Sequence, residues 1–162
     1  MNKSVTELFK RCEKKIAAYL YRMQVNRDDI DDLLQEIFLR AWKSWEKYDQ
    51  NQDFLPWVYT IARNERIRWQ KKQYRFLLEK NEKVCSKDTS ETPEELNEKN
   101  EIREQVKNAV FTLPEKLQEP LVLKHYQNLT FIEISKVLDV PVTTVKSRVY
   151  LALKQLARRV PC

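Results

Sequence analysis

Small hydroxyl side chains and cations are concentrated at the start of one predicted helix, over residues 142–150. Hydroxyls, amines and guanidinium groups donate hydrogen bonds to base edges and phosphates, and a helix carrying them in its first turns fits a DNA major groove. Val145, Val149 and Ala152 recur at helical spacing and place the packing stripe on another side. The candidate DNA-contacting residues are Thr143, Thr144, Lys146, Ser147, Arg148 and Tyr150.

A helix, a tight turn and a second helix over residues 130–156 must position these side chains. Thr130 and Glu133 have the spacing of a capping box at the start of the first helix. Asp139 and Pro141 end that helix, and Pro141 fits the beginning of the second. The pattern indicates a helix-turn-helix, and its alternative is an ordinary helical hairpin with a solvated face.

A second group of cations lies on a long helix predicted over residues 54–78. Cations interleaved with aromatic rings are typical of contact with a nucleic-acid backbone combined with base stacking. A solvated or membrane-surface basic helix is the alternative, but the apolar side of this helix is needed to pack the helices before it. The cations are Arg63, Arg66, Arg68, Lys71, Lys72 and Arg75, and the aromatic residues among them are Trp69, Tyr74 and Phe76.

An acidic face is predicted on the preceding helix, where Asp32, Gln35 and Glu36 follow the i, i+3, i+4 spacing. Acidic residues near a helix start are usually favourable capping partners of the helix dipole. In a chain with DNA-facing cations elsewhere, this face is better suited to a protein partner than to phosphate.

Composition excludes several classes of function. The chain has 162 residues, 42% hydrophobic and 33% charged, with a net charge of +6 and no glycine. Without glycine, a P-loop or a dinucleotide-binding fingerprint is excluded. No nucleophile and base form a recognisable pair, and His125 with three separated cysteines gives little support for a zinc site. We therefore expect no enzyme, no cofactor, no metal and no small-molecule ligand.

Targeting signals are also missing from the sequence. No apolar run is long enough to cross a bilayer, and residues 1–20 lack the apolar segment of a signal peptide. The expected location is the cytoplasm, with Cys12 in the core and Cys85 and Cys162 as free thiols. The short ends predict no added regulatory domain.

Helical periodicity and charge predict an all-α protein of two small domains joined by a flexible linker. Residues 1–78 contain three predicted helices (4–24, one starting near Asp28, and 54–78) and have a net charge of +5. Residues 79–92 have almost no apolar side chains and form the predicted linker. Residues 93–162 contain four predicted helices, the second over 115–126, where Pro120 should kink or shorten it.

Three stretches resemble the extracytoplasmic-function (group 4) sigma factors of bacterial RNA polymerase, within the sigma-70 family. DDLLQEIFLRAW at 31–42 is similar to the region 2 helix that docks on the polymerase. DFLPWVYTIARNERIRWQKK at 53–72 is similar to the promoter-melting helix, and residues 113–156 are similar to region 4, including TVKSR. The resemblance implies region 2 over 1–78 and a helix-turn-helix region 4 over 93–162.

The resemblance also implies partners and roles. The partners are core RNA polymerase, through its beta-prime clamp helices and beta flap, promoter DNA, and a membrane-linked or soluble anti-sigma factor. Asp32, Gln35, Glu36, Arg40 and Trp42 would bind the polymerase. The minus-ten contacts would be Tyr48, Asp49, Gln50, Asn51, Trp57, Tyr59, Arg63, Asn64, Arg68 and Lys71. The minus-thirty-five contacts would be Thr143, Thr144, Lys146, Ser147, Arg148 and Tyr150.

Two other functions fit parts of the pattern. A self-sufficient helix-turn-helix regulator would need a dimerisation surface and would leave the acidic face unexplained. A helical adaptor that binds only protein would not need Lys146 and Arg148. Asp139, Thr143 and Leu151 depart from the family's common residues, so the contacts of the recognition helix are expected to differ there.

Overall fold

The computed structural model describes residues 4–80 and 98–160, and these residues contain helices and no strand. Between the second and third helices, Trp45–Lys47 forms a single 3₁₀ turn. The helices are α1 (Val5–Arg22), α2 (Arg27–Ser44), α3 (Phe54–Glu79), α4 (Glu98–Phe111), α5 (Glu115–Leu121), α6 (Phe131–Leu138) and α7 (Val142–Arg159). The prediction of an all-α fold with two helical units is confirmed.

Helices α1, α2 and α3 pack against one another as the N-terminal unit. Ser4 caps α1 by accepting a hydrogen bond from the Glu7 backbone N–H at 3.3 Å. The helix ends at Arg22, slightly before the predicted residue 24, because Gln24 adopts a left-handed backbone with φ 69°. Asp53 precedes α3 as predicted, although its side chain makes no capping hydrogen bond. Pro56 lies in the first turn of α3, where a missing N–H costs little.

Helices α4 to α7 make the C-terminal unit, in which α7 packs against α4, α5 and α6. The predicted capping box is present. The Glu133 N–H donates to Thr130 Oγ1 at 3.1 Å, and the Thr130 N–H donates to Glu133 Oε1 at 2.9 Å. Asp139 ends α6 in the left-handed conformation, with φ 55° and ψ 48°, and Pro141 precedes α7. The helix-turn-helix therefore begins and turns where the sequence predicts, and α7 continues to Arg159, past the predicted end at residue 156.

The helix predicted over 115–126 is not a regular α-helix along its whole length. It begins as α5, which contains the buried Pro120 and ends at Leu121, and Val122–Tyr126 then form a π-helical turn. Because proline lacks a backbone N–H, it cannot donate the regular i to i−4 bond at this point. Turns of the wider π type occur as single interruptions within α-helices.

Buried residues of both units form one continuous cluster that includes Tyr19, Tyr59, Leu121 and Ile134. Helix α3 packs against α6, and α1 packs against the π-helical turn. The sequence did not indicate this contact between the units. Cys12 lies in the cluster as expected, and burial raises the pKa of its thiol to about 11.

Several predictions lie wholly or partly outside the described residues. They concern the linker over 79–92, of which only residues 79 and 80 are described, the helix start near residue 93, and Cys85 and Cys162. The predicted domain limits stay predictions. In the described parts of the chain, no helix is long and apolar enough to cross a membrane.

Candidate nucleic-acid and protein interfaces

The first turns of α7 present polar side chains to solvent, because the buried stripe of Val145, Val149 and Ala152 faces the rest of the C-terminal unit. Among the predicted contacts, Thr143, Lys146, Ser147 and Tyr150 are exposed, whereas Thr144 and Arg148 are half-buried.

The α7 surface is partly ordered by local contacts. Ser147 donates to the Thr143 carbonyl at 2.9 Å, which uses its hydroxyl proton within the helix. The Lys146 ammonium lies 5.7 Å from the centre of the Phe131 ring, and the Tyr150 ring lies 6.5 Å from it. Phe131 at the start of α6 therefore supports two of the predicted DNA contacts.

An aromatic cluster lies beneath the loop that connects α2 to α3. Trp45 stacks on Tyr48 with ring centroids 5.1 Å apart, and Trp57 lies 4.7 Å from Tyr48. The Tyr48 hydroxyl donates to the Gln52 carbonyl, which closes the loop. Burial, together with the carboxylates of Asp53 and Asp49, raises the pKa of Tyr48, so its hydroxyl stays protonated and able to donate.

The tip of this loop carries exposed polar groups. Asp49, Gln50 and Asn51 are exposed, and the Asn51 N–H donates to Asp49 Oδ1 at 3.0 Å. A polar tip above packed rings can hold an unstacked base, because the rings supply a platform and the tip supplies hydrogen bonds.

The predicted minus-ten residues of α3 divide into two groups. Asn64, Arg68 and Lys71 are exposed on one side of the helix. Tyr59 is fully buried, and Arg63 is only partly exposed, on the side that faces the C-terminal unit. The structure therefore does not bring all of these residues to one open surface.

Glu119 of α5 is the centre of a buried polar network between the units. Its carboxylate accepts hydrogen bonds from Arg63 Nε at 2.7 Å and from the Tyr19 hydroxyl at 3.0 Å. Arg66, which is fully buried, places Nη2 3.2 Å from Glu119 Oε2 and Nη1 3.2 Å from Glu115 Oε1.

Ionisation states in this network follow from its geometry. Burial, with the Glu119 carboxylate alongside, raises the pKa of Tyr19 above its usual range. Burial lowers the pKa of Arg66, but Tyr19 and Glu119 raise it by more, so the guanidinium stays charged. Close to Tyr19, with ring centroids 5.6 Å apart, Tyr59 donates to Gln127 Oε1 at 2.5 Å.

The predicted polymerase-binding residues lie on an open face of α2. Asp32, Gln35, Glu36 and Arg40 are exposed, and Trp42 is 59% exposed. Sequence reasoning missed Leu39, which is 47% exposed and lies one turn from Gln35 and Glu36 on the same side. Because large apolar groups rarely stay exposed next to one another without a use, Leu39 and Trp42 add a hydrophobic element to the acidic face.

Glu65 connects the α2 face to the exposed side of α3. It is 8% exposed, and its Oε1 lies 3.1 Å from Arg40 Nε and 3.2 Å from Arg68 Nη1. Glu65 was not among the site residues predicted from the sequence. Within the described residues, no group of three or more His, Cys, Asp or Glu side chains could hold a metal ion.

Comparison with known proteins gives the same family for both units. The chain matches the family models of sigma-70 region 2 over residues 8–76 and sigma-70 region 4 over residues 103–156. The ECF RNA polymerase sigma factor SigW of Bacillus subtilis strain 168 is 31% identical over 154 residues, which cover 90% of this chain and 82% of SigW. The ECF sigma-E factor of Haemophilus influenzae is 29% identical over 169 residues, covering 98% and 88% of the two chains.

Solved structures show a similar fold. The sigma factor RpoE of Bartonella quintana, in complex with the anti-sigma factor NepR, has a TM-score of 0.75 at 19% identity and covers 94% of each chain. CnrH, in complex with the cytosolic domain of CnrY, has a TM-score of 0.70 at 20% identity, with 95% and 85% covered.

The chain therefore belongs to the extracytoplasmic-function group of the sigma-70 family. Proteins of this family are non-enzymatic transcription initiation factors that bind core RNA polymerase and promoter DNA. The resemblance noted in the sequence is confirmed.

Proposed function

We propose that the two units divide the work of a sigma factor. The N-terminal unit, predicted over 1–78, binds core polymerase and opens the minus-ten element. The C-terminal unit, predicted over 93–162, reads the minus-thirty-five element as duplex. The observation that carries this proposal is the exposure of an acidic and apolar face on α2 together with a separate polar face on α7.

The α2 face suits a protein partner with basic side chains. Asp32 and Glu36 supply charge, and Leu39 and Trp42 supply apolar area that binding would remove from water. Interfaces commonly gain most of their energy from a few large side chains of this kind, with tryptophan prominent among them. We assign this face to the polymerase.

The minus-ten element is assigned to the loop and to α3. Flipping a base out of the duplex costs a few kcal/mol, which contacts in a pocket must offset. The packed rings of Trp45, Tyr48 and Trp57 below the exposed tip Asp49–Asn51 form such a platform. Asn64, Arg68 and Lys71, on the exposed side of α3, contact the DNA backbone. Tyr59 and Arg63 are the remaining residues assigned to this element.

The minus-thirty-five element is assigned to α7. Lys146, Ser147 and Tyr150 project from its first turns, where a recognition helix contacts base edges. Arg148 is half-buried and suits a phosphate at the rim of the groove. Leu151, which is 47% exposed, occupies a position that is often arginine in the family, so one DNA contact of α7 differs here.

Control by an anti-sigma factor is part of the proposal. RpoE of Bartonella quintana, which shares this fold, was solved in complex with the anti-sigma factor NepR, and CnrH was solved in complex with the cytosolic domain of CnrY. The protein would act where polymerase and chromosome are, in the cytoplasm.

The test uses purified full-length protein, core polymerase and a promoter mapped by transcript starts. Asp32→Ala with Glu36→Ala should weaken core binding, and the double variant should still bind the minus-thirty-five duplex. Lys146→Ala with Arg148→Ala should keep core binding and lose promoter-specific transcripts. Wild-type protein that does not bind core polymerase would refute the proposal. Unchanged transcription by the Lys146 and Arg148 variant would instead support an adaptor that binds only protein.

A further inference from the structure

Arg40 of α2 and Arg68 of α3 meet at a single carboxylate oxygen. Glu65 Oε1 lies 3.1 Å from Arg40 Nε and 3.2 Å from Arg68 Nη1. The two guanidinium groups are therefore neighbours, although they belong to different helices. Glu65 itself is only 8% exposed, so packing around α3 fixes the carboxylate from which the two arginines extend.

The three side chains stabilise one another. Two guanidinium groups held close together repel each other, and the carboxylate between them offsets that repulsion. A nearly buried carboxylate is in turn costly unless charged partners compensate it, and here it has two. The cluster as a whole keeps one positive charge, so it attracts an anion.

Each arginine also keeps N–H donors for a further ligand. A guanidinium has five N–H donors, and Glu65 contacts one nitrogen of each arginine. Among the described residues, neither arginine side chain makes another hydrogen bond or ion pair. The Arg40 and Arg68 side chains are 49% and 60% exposed, in contrast to Arg66, which is fully buried. Donors of both exposed arginines are therefore open to solvent.

A phosphate group fits this pair of arginines. The N–H donors of a guanidinium match the geometry of phosphate oxygens, and two guanidinium groups fixed side by side lose little freedom when they bind one anion. Asn64 and Lys71 lie with Arg68 on the exposed side of α3, so the phosphate source nearest to the pair is the proposed minus-ten strand.

The position of Arg40 on α2 favours DNA over the polymerase. Gln35 and Leu39 line a groove between α2 and α1, which Phe9 of α1 also lines. Arg40 instead pairs with Glu65 and so extends toward α3, on the other side of α2. The polymerase face and Arg40 therefore point to different neighbouring helices.

We propose that Arg40 and Arg68 together bind one backbone phosphate of the minus-ten strand, and that Glu65 is the positioning residue that holds them side by side. The proposal rests on the proposed function, because that function assigns Arg68 to the minus-ten element. It moves Arg40 from the predicted polymerase contacts to the promoter contacts. Glu65 acts through the two arginines and does not contact DNA.

The first experiment separates polymerase binding from DNA binding at Arg40. Core polymerase affinity is measured with full-length variants, and each holoenzyme is then titrated with a forked oligonucleotide that has a single-stranded minus-ten segment. Arg40→Ala should keep core affinity and weaken fork binding about tenfold. Lys14→Ala removes an exposed cation of α1 and should change neither quantity. Weaker core binding with normal fork binding in Arg40→Ala would overturn the proposal.

The second experiment counts the phosphates that the two arginines bind. The salt dependence of binding reports how many phosphates a protein neutralises. If both arginines share one phosphate, Arg40→Ala with Arg68→Ala should reduce the salt dependence of holoenzyme binding to the fork by about one ion in total. The double variant should also lose less affinity than the two single variants predict together. A reduction of about two ions with additive losses would overturn the shared site.

The third experiment tests positioning by Glu65. Removal of an acidic charge beside DNA should tighten fork binding if Glu65 acts only through its charge. If Glu65 positions the arginines, Glu65→Gln should instead weaken fork binding about threefold at unchanged core affinity. Glu65→Asp keeps the charge on a shorter side chain and should weaken binding in the same way, which also covers the case in which Glu65→Gln does not fold. Glu79→Gln, exposed on the same helix, is the control. Equal or tighter binding in the folded Glu65 variants would overturn the positioning role.

A failure of the proposed function would give a different result. Arg68→Ala with Lys71→Ala removes two cations from the exposed side of α3 and should weaken fork binding and promoter opening by the holoenzyme. If that variant behaves normally, the minus-ten assignment itself is wrong. If it is impaired while Arg40→Ala and Glu65→Gln behave normally, only the shared phosphate site is wrong.

Discussion

Helices α3 and α7 look alike in the sequence and differ in the structure. Both carry several cations among aromatic or hydroxyl side chains, and both are candidates for DNA contact. In α3 the cations divide between a buried side, where Arg66 and Arg63 pair with Glu119, and an open side with Arg68 and Lys71. Among the described residues, none of the ion pairs includes a cation of α7.

The difference shows what a charge count leaves out. A buried cation contributes to DNA affinity only if its protein partner releases it, and a buried ion pair releases it at a considerable cost. If the proposed assignments hold, the contacts of α7 are largely open to solvent, whereas Tyr59 and Arg63 of α3 are engaged with Gln127 and Glu119. The following variants test this distinction.

The largest expected effect is on stability and comes from Arg66. Arg66→Ala removes the fully buried one of the two guanidinium groups that pair with the buried Glu119, and breaking a buried pair in this way typically costs about 3–5 kcal/mol. Urea unfolding of the full-length variant measures the loss. Arg68→Ala is the control: it removes the same charge from a side chain that is 60% exposed and should cost less than about 1 kcal/mol. Similar losses in the two variants would show that the two sides of α3 are not distinct.

The next effect concerns DNA affinity on α7. Lys146→Ala should lower the affinity of the free protein for a minus-thirty-five duplex by about tenfold and reduce the salt dependence by about one ion. Stability should not change, because Lys146 is exposed. Lys154→Ala, two turns further along the same helix, should change neither quantity. An unchanged salt dependence of DNA binding in Lys146→Ala would show that the duplex does not contact Lys146.

A smaller effect is expected at Glu65, on the open side of α3. Glu65→Gln weakens the bridge to Arg40 and Arg68, and because both arginines are substantially exposed, stability should fall by about 1 kcal/mol at most. Promoter opening by the holoenzyme should slow about threefold, since Arg68 loses its orientation. Glu79→Gln, exposed on the same helix, is the matched control. A pure stability change with normal opening would limit Glu65 to a structural role.

The smallest effect is at the turn before α7. Asp139 has φ 55°, so Asp139→Gly should raise the free energy of unfolding by about 0.5 kcal/mol, because glycine adopts this conformation without steric cost. Asp139→Ala should lower it by about 1 kcal/mol. Thermal unfolding distinguishes the two signs, and a gain from alanine would contradict the assigned backbone.

Local features of the sequence predicted the helix-turn-helix well. The Thr130 and Glu133 capping box, the turn at Asp139 and the start of α7 after Pro141 depend on residues within a few positions of one another. Such signals can be recognised from a short stretch of sequence alone. The acidic face of α2 was also visible, because helical spacing alone places Asp32, Gln35 and Glu36 together.

Contacts between distant segments could not be predicted in this way. Glu119 lies 100 residues from Tyr19 and 56 from Arg63, and nothing near it in the sequence indicates that it is buried. Arg66 is one of six cations on α3, and its burial depends on which side meets the other unit. Leu39 was not considered, although helical spacing places it one turn from Gln35 and Glu36, and the packed structure shows that it is exposed.

The π-helical turn Val122–Tyr126 has the effect of one extra residue in the helix that continues from α5. A residue inserted into a regular helix rotates everything after it by about 100°. Tyr126 is the last residue of this turn and lies against the Arg22 guanidinium. Gln127 follows it and accepts a hydrogen bond from the Tyr59 hydroxyl. Deleting one residue here would turn Gln127 away from Tyr59, so this stretch should tolerate changes of residue type better than changes of length.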